Sequence, residues 1–101
     1  MMPERWTLPD YWTPCPEMDA LAEELALQGV RFVVEGPRAV PGWRLVYDSA
    51  MGDVSVVWHL WSYGHEKGLL EAMLLDVAQP AAVGWLSAGD VLRLYPPEVR
   101  P

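Results

Sequence analysis

Two apolar runs on either side of a glycine-bounded polar turn constrain the fold of this chain more than any other feature. The first run, residues 54–63 (VSVVWHLWSY), is rich in β-branched and aromatic residues. The polar turn between Gly64 and Gly68 separates it from a second apolar run that begins at Leu69. This pattern is typical of a β-hairpin, because glycine adopts positive φ at little cost where the chain reverses. We therefore predict that this hairpin forms the centre of a small sheet.

Two helices are predicted, one before the strands in the sequence and one after them. Residues 16–28 carry apolar side chains at helical spacing, with proline in the first turn and Gly29 as the C-terminal cap. Near the other end of the chain, Ser87 and Asp90 have the spacing of a capping box, which predicts a short helix from Ala88 to about Tyr95.

The remaining strands follow from alternation and composition. Residues 30–35 and 43–48 favour strands, and the second alternates clearly. Residues 54–61 are bulky on both faces, which predicts an interior strand covered on both sides. Residues 68–75 fit either a helix or a strand, and the turn before them favours the strand. The predicted fold is α+β, with an N-terminal helix, a three- to four-stranded, mostly antiparallel sheet and a short C-terminal helix.

The first 16 residues form an arm that precedes one α+β domain at residues 17–101. Four prolines favour an extended arm, and it carries the large rings of Trp6, Tyr11 and Trp12. Such apolar side chains are unsuited to a free tail. They either dock on the domain or serve as anchors for a partner.

The charge balance narrows the choice of partners. The chain has 14 acidic and 7 basic residues, a net charge of −7, and its basic residues do not cluster. Direct nucleic-acid binding is therefore disfavoured. Scattered acidic residues keep a protein in solution, and they also suit a protein partner with a basic surface, such as a nucleic-acid-binding groove.

The predicted location is the cytoplasm. A single cysteine, Cys15, allows no internal disulfide, and no apolar signal-peptide core or membrane-spanning run is apparent.

Catalytic and metal-binding patterns are weak. His59, His65 and Cys15 are the only soft metal ligands, and their spacing matches no zinc motif. His65 could form an acid–base group with Glu66 and Glu71, but no nucleophile or phosphate-binding loop accompanies it. We therefore expect a non-enzymatic protein without a cofactor or metal. The alternative is a small hydrolase or metal-dependent enzyme that uses His65 and Glu71.

Aromatic side chains are more numerous than a small core requires. Besides Trp6, Trp12, Trp61 and Tyr63, four more large rings compete for the interior, those of Trp43, Tyr47, Trp58 and Trp85. Glu71 lies among apolar residues, so it either pairs with Arg44 or Arg31, or it remains exposed for a partner. A homodimer is another way to bury surplus rings. The predicted partner-binding residues are Trp6, Trp12, Trp61, Tyr63, His65, Glu66 and Glu71.

Two segments carry a resemblance to a group of proteins. Residues 62–71 read SYGHEKGLLE and residues 84–91 read GWLSAGDV. The chain resembles small proteins of bacteriophages and prophages, without an assigned activity, in which SYG-x-x-x-GLLE precedes GWL-[ST]-A-x-DV. The similarity covers roughly residues 17–95, and Gly89 replaces the acidic residue expected there. The resemblance implies a phage or prophage setting. In that setting, the functional expectation is an inhibitor of a host defence factor, and the alternative is an immunity or antitoxin protein.

Overall fold

The computed structural model describes residues 15–35 and 42–99, which form two helices and five strands around one core. The elements are α1 (Pro16–Leu27), β1 (Phe32–Glu35), β2 (Gly42–Ser49), β3 (Gly52–His59), β4 (Leu70–Leu74), β5 (Val83–Leu86) and α2 (Ala88–Leu94). A 3₁₀ turn at His65–Lys67 lies between β3 and β4. The strands form one antiparallel sheet in the order β1-β2-β3-β4-β5, so every strand pairs with its sequence neighbours.

The predicted hairpin is present, and β3 is the middle strand of the sheet. Residues 70–74 form a strand and not a helix, with Val56 opposite Ala72 and Val57 opposite Glu71. The strand β3 ends at His59, however, so the connection to β4 is a ten-residue segment, 60–69, and not a tight turn.

Both helices pack on one face of the sheet because strand alternation places the apolar residues there. On β2, Trp43, Leu45 and Tyr47 share one face and are all buried. The same core includes apolar residues from α1, β3, β4 and α2: Met18, Leu21, Leu25, Val54, Val56, Trp58, Leu70, Ala72 and Val91. A single apolar core therefore joins the sheet to both helices.

Specific hydrogen bonds fix the helices against this core. The buried Tyr47 hydroxyl donates to the Tyr95 carbonyl at 2.7 Å, and burial raises the pKa of the Tyr47 phenol. The Ala88 amide at the start of α2 donates to Glu17 of α1 at 2.8 Å. The predicted capping box is present, with the Asp90 amide donating to the Ser87 hydroxyl and the Ser87 amide donating to the Asp90 carboxylate, both at 3.1 Å.

The other face of the sheet is polar at its centre. The Arg44 guanidinium donates to the Ser55 hydroxyl at 3.0 Å and to Glu35 at 3.1 Å. Ser55 is buried on this face, while Val57 is half-buried. Both helices of the described ranges lie on the first face. The cover over Ser55 therefore includes the long Arg44 side chain, and no described helix lies over it.

The predicted α+β class is confirmed, with five strands in place of the three or four expected. The additional strand is β5, at residues 83–86, and it forms one edge of the sheet beside β4. The longest described helix, α1, has 12 residues, and none of the helices in the described ranges is long and apolar enough to cross a membrane. Residues 1–14 of the N-terminal arm, including Trp6 and Trp12, lie outside the described residues.

Candidate functional site

The segment between β3 and β4 starts with a turn that the side chains of His59 and Ser62 hold by hydrogen bonds. Ser62 is buried, and its hydroxyl both accepts from the His59 amide and donates to the His59 carbonyl, each at 2.9 Å. The Trp61 amide donates to the His59 Nδ1 atom at 3.2 Å. These bonds fix the backbone on both sides of Trp61, whose side chain is 72% exposed.

The second half of this segment is attached to the core. Gly64 and Gly68 have φ of 97° and 70° and bracket the 3₁₀ turn, as expected for a chain reversal that requires glycine. The indole nitrogen of Trp58 donates to the His65 carbonyl at 3.1 Å, and the two rings stack with centroids 4.5 Å apart. The buried Cys15 thiol lies 3.8 Å from the Gly68 carbonyl, which it faces as a donor. The segment is therefore anchored at several points.

A β-bulge lies opposite Glu71 on the edge strand. Leu70 pairs with Leu86 and Ala72 with Val83, so the single residue Glu71 faces two residues, Gly84 and Trp85. Trp85 has a φ of 63°, and no other non-glycine residue in the described ranges has positive φ. This left-handed conformation costs a non-glycine residue roughly 1–2 kcal/mol. Bulges redirect side chains, and the Trp85 side chain is 50% exposed.

The bulge and the segment before β4 are in direct backbone contact. The Trp85 amide donates to the Tyr63 carbonyl at 3.3 Å. A Cβ atom on Gly84 would lie 2.2 Å from the Tyr63 Cβ, and one on Gly64 would lie 3.1 Å from the Trp85 Cα. Both glycines therefore permit an approach that a side chain would prevent.

Glu71 completes this arrangement. Its Oε1 atom accepts a hydrogen bond from the Tyr63 amide at 2.8 Å. The expected pairing of Glu71 with Arg44 or Arg31 is wrong, because Arg44 pairs with Glu35 and Arg31 pairs with Asp48. Across the described residues, Glu71 forms no ion pair. The carboxylate instead holds the backbone of an exposed tyrosine.

We call the exposed rings of Trp61, Tyr63 and Trp85 the aromatic surface. These residues are 72%, 61% and 50% exposed. With a full side-chain area of about 150–250 Å² each, they together leave roughly 300–450 Å² in solvent. Of the other large rings, Trp43, Tyr47 and Trp58 are buried, whereas Trp85 is exposed.

The segment that carries Trp61 and Tyr63 has exposed charges of both signs. Glu66, in the same segment as Trp61 and Tyr63, is exposed, as is Lys67 beside it. Elsewhere the arginines in the described ranges are neutralised within the chain, through the pairs Arg31–Asp48, Arg44–Glu35 and Arg93–Asp90. These three arginines are therefore balanced by carboxylates of the same chain, and the excess of acidic residues gives the protein a negative electrostatic potential.

The predicted site residues thus fall into three groups. Trp61, Tyr63 and Glu66 are exposed in one segment. His65 is half-buried against Trp58, and Glu71 supports Tyr63 from the sheet. Trp6 and Trp12 lie outside the described residues, so their predicted role stays a prediction.

The groups suggested for catalysis or metal binding do not form a shared centre. His65 and Glu71 make no hydrogen bond with each other. Within residues 15–35 and 42–99, no group of three or more His, Cys, Asp or Glu side chains is arranged to hold a metal ion.

Trp85 is the site residue that sequence reasoning missed. A glycine inside a strand pattern, here Gly84, is a signal for a bulge or a close backbone approach. That signal could have separated Trp85 from the core tryptophans. It could not have identified Tyr63, 21 positions before Gly84, as the residue that Gly84 contacts.

Comparison of this chain with protein-family models, curated proteins and solved structures finds no match to any of them.

Proposed function

We propose that this protein is a non-enzymatic protein-binding module that contacts its partner through the aromatic surface. The observation that carries this proposal is the support beneath Tyr63 and Trp85. A bulge, two close glycine contacts and the Glu71 carboxylate hold their backbones together, while Tyr63 and Trp85 remain 61% and 50% exposed. Rings that only filled a core would not need this support at the surface.

The properties of such a surface fit protein recognition. Tryptophan and tyrosine are enriched among the residues that dominate binding energy, because they bury a large area with few rotatable bonds. A backbone fixed in advance lowers the entropy lost on binding. Trp61, Tyr63 and Trp85 combine both properties.

The charge of the chain favours a basic protein partner. With a net charge of −7, the protein repels nucleic-acid phosphates and anionic membrane surfaces and attracts basic proteins. Complementary charge speeds encounter, and the aromatic rings then slow dissociation. Blocking of a basic, nucleic-acid-binding groove on another protein is consistent with this pairing of properties.

The resemblance to phage and prophage proteins makes the proposal more specific. Residues 62–64 and 84–85, which belong to its two motifs, are the segments that meet beneath the aromatic surface. In a phage setting, an acidic module with this surface acts by covering a bacterial host factor. We therefore include, as the finer part of the proposal, a phage-encoded inhibitor of a host defence protein.

The test is capture of a partner from bacterial lysate, with and without nuclease, followed by binding measurements on the purified pair. The double variant Trp61→Ala/Tyr63→Ala should lose the partner, with at least a 30-fold rise in Kd, roughly the effect of removing one hot-spot residue. Leu27→Ala is the matched control, because Leu27 is 76% exposed at the end of α1, outside the aromatic surface.

Circular dichroism establishes that the variants fold. The proposal fails if no protein is captured, or if the captured protein binds the double variant as tightly as the wild type. Nuclease-sensitive capture would indicate that nucleic acid carries the contact, and would also contradict it. A homodimer that dissociates in the double variant would show that the aromatic surface binds a second copy instead.

A further inference from the structure

The Glu71 carboxylate, for which an ion pair with arginine was one expectation, lies beside the aromatic surface without such a pair. It is half-buried on β4, opposite the bulge that carries Trp85, and its Oε1 atom accepts from the Tyr63 amide. No Arg or Lys of the described ranges pairs with it. A carboxylate that has no counter-charge in the described ranges and lies next to exposed rings is a binding feature for a cation.

The rings provide the second half of a cation site. The face of an indole or phenol ring is electron-rich and attracts ammonium and guanidinium groups, most often guanidinium. Trp61, Tyr63 and Trp85 present such rings to solvent, and the exposed Glu66 adds a further carboxylate in the same segment. The two kinds of group together favour arginine over lysine, because guanidinium stacks on rings and donates in a fork that matches a carboxylate.

We propose that the aromatic surface binds arginine side chains of a basic protein partner, with guanidinium stacked on the rings and paired with Glu71. This inference rests on the proposed function and specifies the partner's chemistry. Like charge disfavours a second copy of the chain as the source of that arginine, because two copies would each carry a charge of −7. In the described ranges, Arg31, Arg44 and Arg93 are also already paired within the chain.

The experiment uses two peptide probes of equal charge, an arginine nonamer and a lysine nonamer, measured by calorimetry at physiological salt. The arginine peptide should bind the full chain about 5- to 30-fold more tightly than the lysine peptide, the range expected for desolvated cation–aromatic contacts. Glu71→Gln should weaken arginine-peptide binding about tenfold, since the amide retains an acceptor for the Tyr63 amide but loses the charge. Trp85→Ala should weaken it by a similar factor.

Glu23→Gln is the matched control for charge, because Glu23 is exposed on α1 and its loss changes the net charge equally. It should change the affinity less than twofold. Near-UV circular dichroism establishes that Glu71→Gln and Trp85→Ala keep the native packing. A second variant, Trp61→Ala, tests the rings should Trp85→Ala fail to fold.

Equal affinity for the two peptides would overturn the proposal, as would equal losses in Glu71→Gln and Glu23→Gln, because either result indicates general charge attraction. Absence of binding to both peptides would also overturn it. These failures are distinct from failure of the proposed function. A lysate partner that requires Trp61 and Tyr63 but is indifferent to Glu71→Gln would leave the protein-binding module standing and refute arginine recognition.

Discussion

Replacement of Gly84 by alanine tests the contact on which the aromatic surface depends. An added Cβ would lie 2.2 Å from the Tyr63 Cβ and 3.1 Å from the Tyr63 carbonyl oxygen. Carbon atoms in favourable contact are about 3.5–4.0 Å apart, so the two segments must separate by more than 1 Å. Both groups belong to or adjoin the backbone, so no change of side-chain rotamer removes the clash.

The expected cost follows from two opposing terms. Overpacking in a well-packed site costs about 1–3 kcal/mol. Loss of glycine flexibility from the unfolded chain returns about 0.4–1 kcal/mol. Gly84→Ala should therefore lower the free energy of unfolding by about 1–2 kcal/mol. For a domain of this size, that corresponds to a fall in Tm of about 4–16 °C.

Urea denaturation followed by tryptophan fluorescence measures this change. Gly89→Ala is the matched control, because Gly89 lies within α2 and an added Cβ would meet the end of the Arg93 side chain at 3.4 Å and the Ser87 hydroxyl at 3.8 Å, both ordinary contact distances. In a helix this change should stabilise the protein by about 0.5–1 kcal/mol. A Gly84→Ala protein as stable as the wild type would refute the contact between the bulge and Tyr63, and with it the fixed geometry of the aromatic surface.

Two further predictions concern the bulge and the capping box. In urea denaturation, Trp85→Gly should have a free energy of unfolding about 1 kcal/mol higher than Trp85→Ala, since both lose the ring but only glycine relieves the strain of the positive φ. Equal stability of the two variants would contradict the left-handed conformation. Hydrogen bonds from the Ser87 amide and hydroxyl lower the pKa of the Asp90 carboxyl. Because its folded pKa lies below the unfolded value of about 3.9, this carboxylate stabilises the protein above that pH and loses its effect as the pH falls. Asp90→Asn should therefore be less stable than the wild type at pH 7, and the difference measured by urea denaturation should shrink below about pH 4. A difference that is constant with pH would show that the charge of Asp90 has no role.

Local patterns predicted most of the secondary structure. The capping box at Ser87, the positive-φ Gly29 directly after the C-cap Gln28 and the alternation of residues 43–48 each depend on neighbours within a few positions, and all three are present in the structure. The strand at residues 70–74 was also predictable, because the glycine-bounded turn before it favours a returning chain over a helix. The length of the connection was not, since the bonds of Ser62 to His59 end the strand early.

The candidate site depended on contacts between distant positions. The residues Trp61, Tyr63 and Glu66 could be selected from the sequence as exposed aromatic and acidic groups after a strand. The partner of Glu71 could not be predicted from the sequence. An arginine and a backbone amide can both donate to a carboxylate, and only the register of the strands decides which of them lies near it. Arg44 faces Glu35 across β1 and β2, and it is thereby removed from Glu71.

The amino-acid sequence by itself determined the α+β class, the helix ends and the central hairpin, because these follow from periodicity and from conformational preferences of single residues. Only the tertiary structure decided that Trp85 lies at the surface and that Tyr63 and Gly84 touch. That outcome depends on a bulge in an edge strand and on packing between segments about 20 residues apart, and short-range preferences carry no information about such an approach.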